Sequence, residues 1–193
     1  YGFRVLIVSY KNITSSQTVY DKRDETGLTI KGFLTFLDPP KETARVALAA
    51  LKEYGVDVKV LTGDNAIVTR KICNDVGLHI KGAVDGSQLD KLSDSQLYEM
   101  VEKNTIFAKL SPMQKSRIII ALKAAGHTVG FLGDGINDAP ALRVADVGIS
   151  VDTAADIAKE AADIILLEKS LLVLEEGVIE GRKVFGNIVK YLK

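Results

Sequence analysis

The sequence is short of several residue types, and each shortage excludes a class of protein. It contains one cysteine and no tryptophan in 193 residues, so an intramolecular disulfide framework and a multi-cysteine metal site are excluded. Cys73 lies in the apolar-periodic stretch 68–76, and we interpret it as a small core residue, not as a nucleophile or ligand. A hydrophobic content of 47% with only four prolines is typical of a folded globular chain and not of a disordered one.

Excess charge and long apolar runs are also missing. The 25 basic and 25 acidic residues cancel, which gives no general electrostatic reason to expect nucleic acid or anionic lipid as a partner. No apolar run approaches the roughly 20 residues that cross a bilayer, and no signal peptide is visible. We therefore expect the chain itself to be soluble and, with its single cysteine, cytosolic. Because it opens inside an apolar run without an initiator methionine, we interpret it as a piece of a longer protein.

What the sequence does contain is an alternation of short apolar runs with amphipathic stretches. Residues 4–10 form a strand or a buried helix, because so short a run has no decisive period. Strands are predicted at 28–37, 56–61, 105–108, 129–132, 147–151 and 164–167. Helices are predicted at 39–54, 66–76, 93–103, 111–125, after 138 and at 154–162, with an irregular segment at 78–92. This order predicts an α/β fold, a Rossmann-like parallel sheet with helices on both faces.

Capping patterns mark several of the helix starts. Ser93 and Ser111 each precede a glutamine by three residues, which is the pattern of a capping box. Asp38 is a predicted N-cap, with Pro39 at the first helical position. The tail at 170–193 predicts an amphipathic helix that leaves the domain, weakened by its glycines.

The first polar motif, Thr62-Gly63-Asp64, follows the predicted strand 56–61. Thr62 offers a hydroxyl and Gly63 an unobstructed N–H just before a helix, which together make an anion site. The alternative is that Asp64 only caps the helix. The residues by themselves leave both interpretations open.

The second polar motif follows the predicted strand 129–132. Asp134 and Asp138 lie four residues apart, so both carboxylates can point at one ion above the end of the strand. Together with the amide of Asn137 they supply only hard oxygen ligands, which suit magnesium. The alternative is that Asp134 is an N-cap and Asp138 a first-turn carboxylate favoured by the helix dipole.

Lys115 is a third candidate, in the first turns of the helix that Ser111 begins. The helix dipole disfavours a cation there, so its presence needs an explanation. It is either a tolerated surface residue or a group that reaches a phosphate bound at neighbouring strand ends.

In this order, each at a strand end, the motifs 62–64, Lys115 and 133–140 resemble the phosphorylation domain of P-type cation-transporting ATPases. These belong to the haloacid dehalogenase-like superfamily, and the resemblance covers roughly residues 28–193. The segments 36–41, 107–112, 164–171 and 174–182 resemble the magnesium-transporting branch of bacterial pumps. Nothing in the chemistry of these segments selects the transported ion.

The resemblance implies a role for each motif residue. Asp134 would ligate the catalytic Mg²⁺, and Asp138 would support that metal site. Asp64, Thr62 and Gly63 would lie at the phosphoryl group, with Thr62 and Gly63 hydrogen-bonding its oxygens. Lys115 would neutralise its charge and Asn137 would orient it. Asp38 would lie near the nucleotide, ATP. These roles fit phosphoryl transfer, which needs positioning and charge compensation more than covalent help.

The same resemblance implies a domain organisation and a setting. Residues 1–27 would end a nucleotide-binding domain, 28–169 would form the phosphorylation domain, and 170–193 would be a stalk helix leading to a membrane helix. The expected partners are the nucleotide-binding, actuator and membrane domains of a parent pump. The expected location is the cytosolic face of the bacterial plasma membrane.

The nucleophile of the family is the one part that the sequence lacks. It is the aspartate of an Asp-Lys-Thr-Gly-Thr sequence, which does not occur here. The similar segment 24–29 has Glu25 in place of the lysine and precedes a strand. The missing segment would also carry a central strand, so we expect an open sheet edge filled by residues 4–10 or by a second copy. The isolated chain is expected to be inactive.

Two alternative functions compete with this interpretation. A soluble phosphatase of the same superfamily would need Asp24 as its nucleophile. A Rossmann-type nucleotide-binding module is disfavoured because residues 130–135 lack the Gly-x-Gly-x-x-Gly spacing and Asp134 would repel a pyrophosphate.

Overall fold

The computed structural model describes residues 3–13, 18–36 and 40–192. By its internal contacts the chain divides into two compact units, Tyr1–Pro39 and Pro40–Lys193. The strand at 29–36 belongs to the first unit, whereas the sequence-based division places it in the second. Asp38, the predicted N-cap and nucleotide neighbour, lies outside the described residues.

The elements alternate along the chain as the sequence pattern predicts. The strands are β1 Arg4–Tyr10, β2 Thr29–Phe36, β3 Val60–Leu61, β4 Ala83–Asp85, β5 Ile106–Ala108, β6 Gly130–Leu132, β7 Val147–Val151 and β8 Ile164–Leu166. The α-helices are α1 Glu42–Glu53, α2 Ala66–Asp75, α3 Gly86–Leu89, α4 Asp94–Lys103, α5 Pro112–Ala124, α6 Ala139–Val144, α7 Asp156–Ala161 and α8 Leu171–Leu192. Two short 3-10 turns lie at Lys22–Asp24 and Ile136–Asp138.

The first unit is a two-stranded antiparallel ribbon. β1 pairs with β2 from Arg4 opposite Phe36 to Tyr10 opposite Thr29, with an irregularity between Val8 and Ser9. The expectation that residues 4–10 fill an open edge of the main sheet is therefore wrong, because their backbone bonds go to β2. Apart from the half-buried Gly32, residues 5–10 and 29–36 are exposed.

The second unit contains the parallel sheet structure that the alternation predicts, but divided in two. One three-stranded sheet has the order β3-β5-β4 and the other has the order β6-β7-β8. All four strand pairs in them are parallel, and each connection between successive strands contains a helix. The predicted α/β class with helix-flanked parallel strands is confirmed, whereas a single continuous sheet is not what the described residues form.

Three groups of buried side chains hold the second unit together. The largest joins α4 and α5 to the first sheet, and includes Phe107 and Ile118 with no exposed surface. A second packs α6 and α7 against β7. Cys73 lies in the third group, beside Ile106, and burial raises the pKa of its thiol. A raised pKa leaves less reactive thiolate, which agrees with its interpretation as a core residue.

Local cap chemistry was predicted well where a capping box is present. Ser93 and Ser111 both accept from the backbone three residues on, and each glutamine side chain bonds back to the serine N–H. By contrast α1 begins at Glu42 with Lys41 as its N-cap, after the prolines. The helix therefore starts three residues later than the predicted start at 39.

The segment predicted to be irregular, 78–92, contains β4 and α3. Neither element is long enough to show a hydrophobic period, so the pattern could not reveal them. The predicted tail helix is confirmed as α8, which packs on α1. Within residues 3–13, 18–36 and 40–192, none of the helices has both the length and the apolarity that a membrane crossing requires.

Candidate functional site

The Thr62-Gly63-Asp64 loop is fastened to the loop that follows β5. The Leu110 N–H donates to the Thr62 carbonyl at 3.0 Å, and the Lys109 N–H donates to the Asp64 carbonyl at 2.8 Å. The Thr62 hydroxyl accepts from the Asp64 N–H at 3.0 Å. The alternative that Asp64 caps α2 is wrong. The N-cap is Asn65, whose side-chain oxygen accepts from the N–H groups of Ile67 and Val68.

Lys109 gives this junction an unusual backbone. It has a positive φ of 52°, the sole non-glycine case in the described part of the chain. Such a conformation is uncommon outside glycine, asparagine and aspartate. It turns the chain from β5 towards the Ser111 cap, while the Lys109 ammonium pairs with Asp85 at 2.7 Å. The turn therefore directs α5 from the end of the strand.

Lys115, carried on α5, reaches the other sheet. Its Nζ lies 2.7 Å from Oδ1 of Asp138, and the two side chains are only 12% and 13% exposed. The other carboxylate oxygen of Asp138 accepts from the Gly135 N–H at 3.1 Å. Both oxygens of this carboxylate are therefore engaged. Since α5 also packs in the core with β5, it physically links the ends of β5 and β6.

Gly133 allows the tight turn in which Asp138 sits. A Cβ added at Gly133 would lie 2.6 Å from the Asp138 Cβ, a contact that real structures do not contain. The buried Ser150 hydroxyl donates to the Gly133 carbonyl at 2.8 Å. These contacts hold the start of the loop against β7 and leave no room for a side chain beside Asp138.

Asp134 occupies a different environment in the same loop. Its carboxylate pairs with the ammonium of Lys169 at 2.7 Å, and the two side chains are 55% and 58% exposed. The Asp134 carbonyl accepts from the Ala155 N–H at 3.1 Å, which anchors its backbone to the start of α7. Asn137 lies in the 3-10 turn Ile136–Asp138 and is exposed.

The comparisons with known proteins identify the family of the chain. A family model of haloacid dehalogenase-like hydrolases matches residues 7–146. The chain is a haloacid dehalogenase-like hydrolase domain. Within that family it is 61% identical over 193 residues to a magnesium-transporting P-type ATPase of Salmonella typhimurium and 56% identical over 192 residues to one of Escherichia coli. The two matches cover 99% and 100% of this chain, respectively. The chain spans only 21% of the length of each relative.

Other relatives have lower sequence identity to this chain. A calcium-transporting ATPase of Bacillus subtilis is 34% identical over 195 residues. Among solved structures, the catalytic domain of the CPx-ATPase CopB-B, described in relation to nucleotide binding, superposes with a TM-score of 0.54 at 26% identity. That match covers 77% of this chain and 51% of the other.

In the hydrolase domain the two carboxylates of this loop pair with different lysines. Asp138 bonds to Lys115 and the turn, and Asp134 bonds to Lys169. Asp134 is not the N-cap of the alternative interpretation, since the N-cap of the 3-10 turn is Gly135. Asp138 does lie in the first turn, as that alternative predicts, and its carboxylate accepts from the Gly135 N–H. The carboxylates of this loop are paired with lysines that lie outside it, Lys115 and Lys169.

The donor set of the domain fits part of a magnesium site. Across residues 3–13, 18–36 and 40–192, no three His, Cys, Asp or Glu side chains are grouped so that they could hold a metal on their own. The exposed carboxylate of Asp134 is a hard oxygen ligand of the kind that Mg²⁺ takes singly or in pairs, with water and phosphate completing the shell. The residues therefore fit a magnesium ion that is shared with a phosphate.

Two residues of this region were missed by reasoning from the sequence. Lys169 follows β8 and Lys109 follows β5, which is the same strand-end position that drew attention to Lys115. Its position after a predicted strand could have identified Lys169 as a candidate site residue. The positive φ of Lys109 has no local signal, because lysine carries no preference for that backbone conformation.

Asp24, the nucleophile required by the phosphatase alternative, lies in the first unit. Its carboxylate accepts from the Asp21 N–H at 2.8 Å and closes the 3-10 turn Lys22–Asp24. Lys115, Asp134 and Asp138 all belong to the second unit. This setting gives Asp24 a structural role in its own turn.

Proposed function

We propose that this chain is the phosphorylation-domain portion of an ATP-driven membrane cation pump that imports magnesium. The pump would work through an aspartyl-phosphate whose nucleophile lies outside residues 1–193. The partners would be the nucleotide-binding, actuator and membrane domains of the same polypeptide, and the working location the cytosolic face of a bacterial plasma membrane. The identities of 61% and 56% to magnesium-transporting ATPases support this proposal.

The observation that carries the proposal is the buried pair of Lys115 and Asp138, 2.7 Å apart at the end of β6. A lysine held this way is aimed by its carboxylate and offers its remaining protons to a phosphoryl oxygen. The backbone bonds from Leu110 and Lys109 hold the Thr62 loop beside the start of the same helix. These contacts support a role for the Lys115 ammonium, the Thr62 hydroxyl and the Gly63 N–H in compensating charge on phosphoryl oxygens.

The glycine of the Thr62 loop supports the same role. A Cβ added at Gly63 would meet only the Leu110 carbonyl, at 3.8 Å, so packing does not demand a glycine there. An exposed N–H without a side chain beside it suits close approach of a phosphate oxygen. We assign Thr62 and Gly63 to the phosphoryl oxygens, Asp64 to the same loop site, and Asn137 to the orientation of the phosphate.

Asp134 would bind Mg²⁺ through its exposed carboxylate, and Asp138 would act on that site by holding Lys115 and the turn. When bound, Mg²⁺ would supply a compact positive charge that compensates charge on the phosphoryl oxygens. In the proposed reaction an external aspartate oxygen attacks the γ-phosphorus of ATP, and ADP leaves. Water then attacks the same phosphorus, releasing inorganic phosphate and restoring the carboxylate. Asp38 is proposed to lie near the nucleotide.

The division of the sheet supports a nucleophile supplied from outside. β3 is the outer strand of one parallel sheet and β6 is the outer strand of the other. Leu132 on β6 is 39% exposed, although parallel strands in doubly wound folds are covered on both faces. One more parallel strand between β3 and β6 would join the two sheets and carry its aspartate to Thr62 and Lys115. The segment 4–10 is not that strand, since it pairs with β2.

The proposal is tested by supplying the missing strand. We expect the purified chain alone to show no magnesium-dependent ATP hydrolysis. Adding a separate segment that contains the strand and its Asp-Lys-Thr-Gly-Thr sequence should produce an acid-stable, hydroxylamine-labile phosphate from labelled ATP on that aspartate. Lys115→Ala should abolish the labelling, whereas Lys103→Ala, on α4, should not. ATP hydrolysis by the chain alone, or labelling that survives Lys115→Ala, would refute the proposal.

A further inference from the structure

Lys169 provides the positive charge that the Asp134 carboxylate faces in the described structure. It lies between β8 and α8, and its Nζ approaches Oδ2 of Asp134 to 2.7 Å. The two residues are 35 positions apart in sequence, so the pair results from folding and not from chain proximity. With side-chain exposures of 58% and 55%, both groups remain reachable by water and ions.

The backbones on both sides of this pair also make contacts of their own. The Asp134 carbonyl is bound by the Ala155 N–H. The Lys169 carbonyl accepts from the ammonium of Lys41 at 2.7 Å, at the N-cap of α1. Just beyond, the Ser170 hydroxyl accepts from the Leu172 N–H at 3.3 Å at the start of α8. The pair with Asp134 is therefore one of several contacts that restrain the Lys169 segment, which connects Asp134 with the beginnings of α1 and α8.

An ammonium and a magnesium ion compete for the same carboxylate. Mg²⁺ binds oxygen at about 2.0–2.1 Å and keeps a rigid octahedral shell, so an ammonium hydrogen-bonded to that carboxylate would be crowded and repelled. Asp138 does not face this competition, because its oxygens are already taken by Lys115 and Gly135 in a site that is mostly buried. Asp134 is the carboxylate of this loop whose partner can be exchanged.

We propose that Lys169 is a tethered counter-cation that occupies the Asp134 carboxylate in the metal-free domain and is displaced when Mg²⁺ binds. This inference rests on the proposed metal role of Asp134. Because linkage is reciprocal, magnesium binding loosens the Lys169 segment, and whatever holds that segment to Asp134 weakens magnesium binding. Metal occupancy at the end of β6 is thereby coupled to the first turn of α8.

The first test measures metal affinity in the full 193-residue chain, with Mn²⁺ as the probe. Water-proton relaxation follows Mn²⁺ binding, and added Mg²⁺ displaces it. An exposed pair of this kind competes only modestly, so Lys169→Gln should tighten Mn²⁺ and Mg²⁺ binding by about two- to fivefold. The matched control is Lys103→Gln, which removes the same charge from a similarly exposed pair with Glu99 on α4 and should leave binding unchanged.

The second test measures the coupling directly. Hydrogen exchange of amides in residues 167–172 should become faster when Mg²⁺ is added to the unmodified chain. In Lys169→Gln these amides should already exchange at the faster rate, and Mg²⁺ should change them little. Amides of α4 serve as the internal reference.

The outcomes separate this inference from the proposed function. If Asp134→Asn abolishes metal binding while Lys169→Gln and Lys103→Gln bind equally, the counter-cation is overturned and the metal role of Asp134 stands. If Asp134→Asn binds as tightly as the unmodified chain, or no variant binds Mn²⁺, both fail. The competition is established if Lys169→Gln binds Mn²⁺ more tightly than the unmodified chain and Lys103→Gln does not. The gain in affinity must also disappear in the double variant Lys169→Gln, Asp134→Asn.

Discussion

Two carboxylates in one loop, at the end of the same strand, are held in opposite ways. Asp138 is 13% exposed and bonds to Lys115 and to the Gly135 N–H. Asp134 is 55% exposed and has the ammonium of Lys169 as its partner. Burial makes the first pair part of the framework, because a charge left alone there would be costly. Exposure makes the second pair weak and exchangeable. A single short motif thus combines a fixed lysine with an available metal ligand.

The contrast between the two carboxylates is tested most directly by removing the buried one. Asp138→Ala leaves the Lys115 ammonium without its partner and frees the Gly135 N–H. We expect the free energy of unfolding to fall by about 2–3 kcal/mol, measured by urea denaturation. Asp156→Ala, which removes a carboxylate that is 92% exposed in its pair with Lys159, is the control and should change stability little. Equal effects of the two substitutions would contradict the distinction.

Crowding the buried side of the loop should have the next largest effect. Gly133→Ala places a Cβ 2.6 Å from that of Asp138, so the loop must shift, at a cost of about 1–3 kcal/mol in unfolding free energy. The matched control is Gly177→Ala in α8, where a Cβ would meet nothing within 4 Å. That change should instead stabilise by about 0.5–1 kcal/mol, because alanine favours helix. Thermal or urea unfolding shows whether the two signs differ.

A third carboxylate tests whether exposure alone decides the behaviour. Asp146 accepts from the Val129 N–H at 2.9 Å and pairs with Lys123 at 3.0 Å. The N–H bond, with help from Lys123, holds the pKa of this carboxyl below its ordinary value of 3.8. With the pKa lower in the folded state, the unfolded chain binds more protons, so the contribution is present above the unfolded pKa and is lost as pH falls through the folded one.

Asp146→Asn should therefore lower the unfolding midpoint at neutral pH and flatten the decline in stability below about pH 4, where the unfolded carboxyl titrates. Denaturation midpoints measured from neutral pH into this acid range check the prediction. An unchanged acid profile would show that Asp146 does not contribute.

The exposed pair should show the smallest effect on stability. Lys169→Gln is expected to change the unfolding free energy by less than about 0.5 kcal/mol, in contrast to its effect on metal binding. Urea denaturation of this variant beside Asp138→Ala sharpens the comparison. A loss of stability as large as that of Asp138→Ala would mean that Lys169 is structural.

Much of the fold was predictable because its signals are local. The two capping boxes at Ser93 and Ser111 are formed within four residues each, and both were predicted correctly. β5 and β7 were predicted within a residue or two, since their apolar runs are clear. The short β4 and α3 were missed because neither spans a hydrophobic period. The strand at 29–36 was predicted, but its antiparallel partner was not, since pairing is a property of two distant segments.

The candidate site was predictable only as a set of residue types at strand ends. The carboxylates, Lys115 and the Thr62 loop were all identified by their position after apolar runs. That Asp134 and Asp138 act on one ion stays a prediction, and in the structure each carboxylate pairs with a different lysine. Lys169 shares the strand-end position, between the predicted strand 164–167 and the predicted helix 170–193, but was not singled out.

The sequence by itself determined the order of strands and helices, the caps, and the presence of oxygen ligands and a lysine in the right order. These depend on residues a few positions apart, so backbone geometry and side-chain chemistry suffice. Only the tertiary structure decided that Lys115 pairs with Asp138 across 23 residues and Lys169 with Asp134 across 35. The reason is that such pairs form only after the helices have packed on their sheets, when burial decides which charge must be matched and which stays free to exchange.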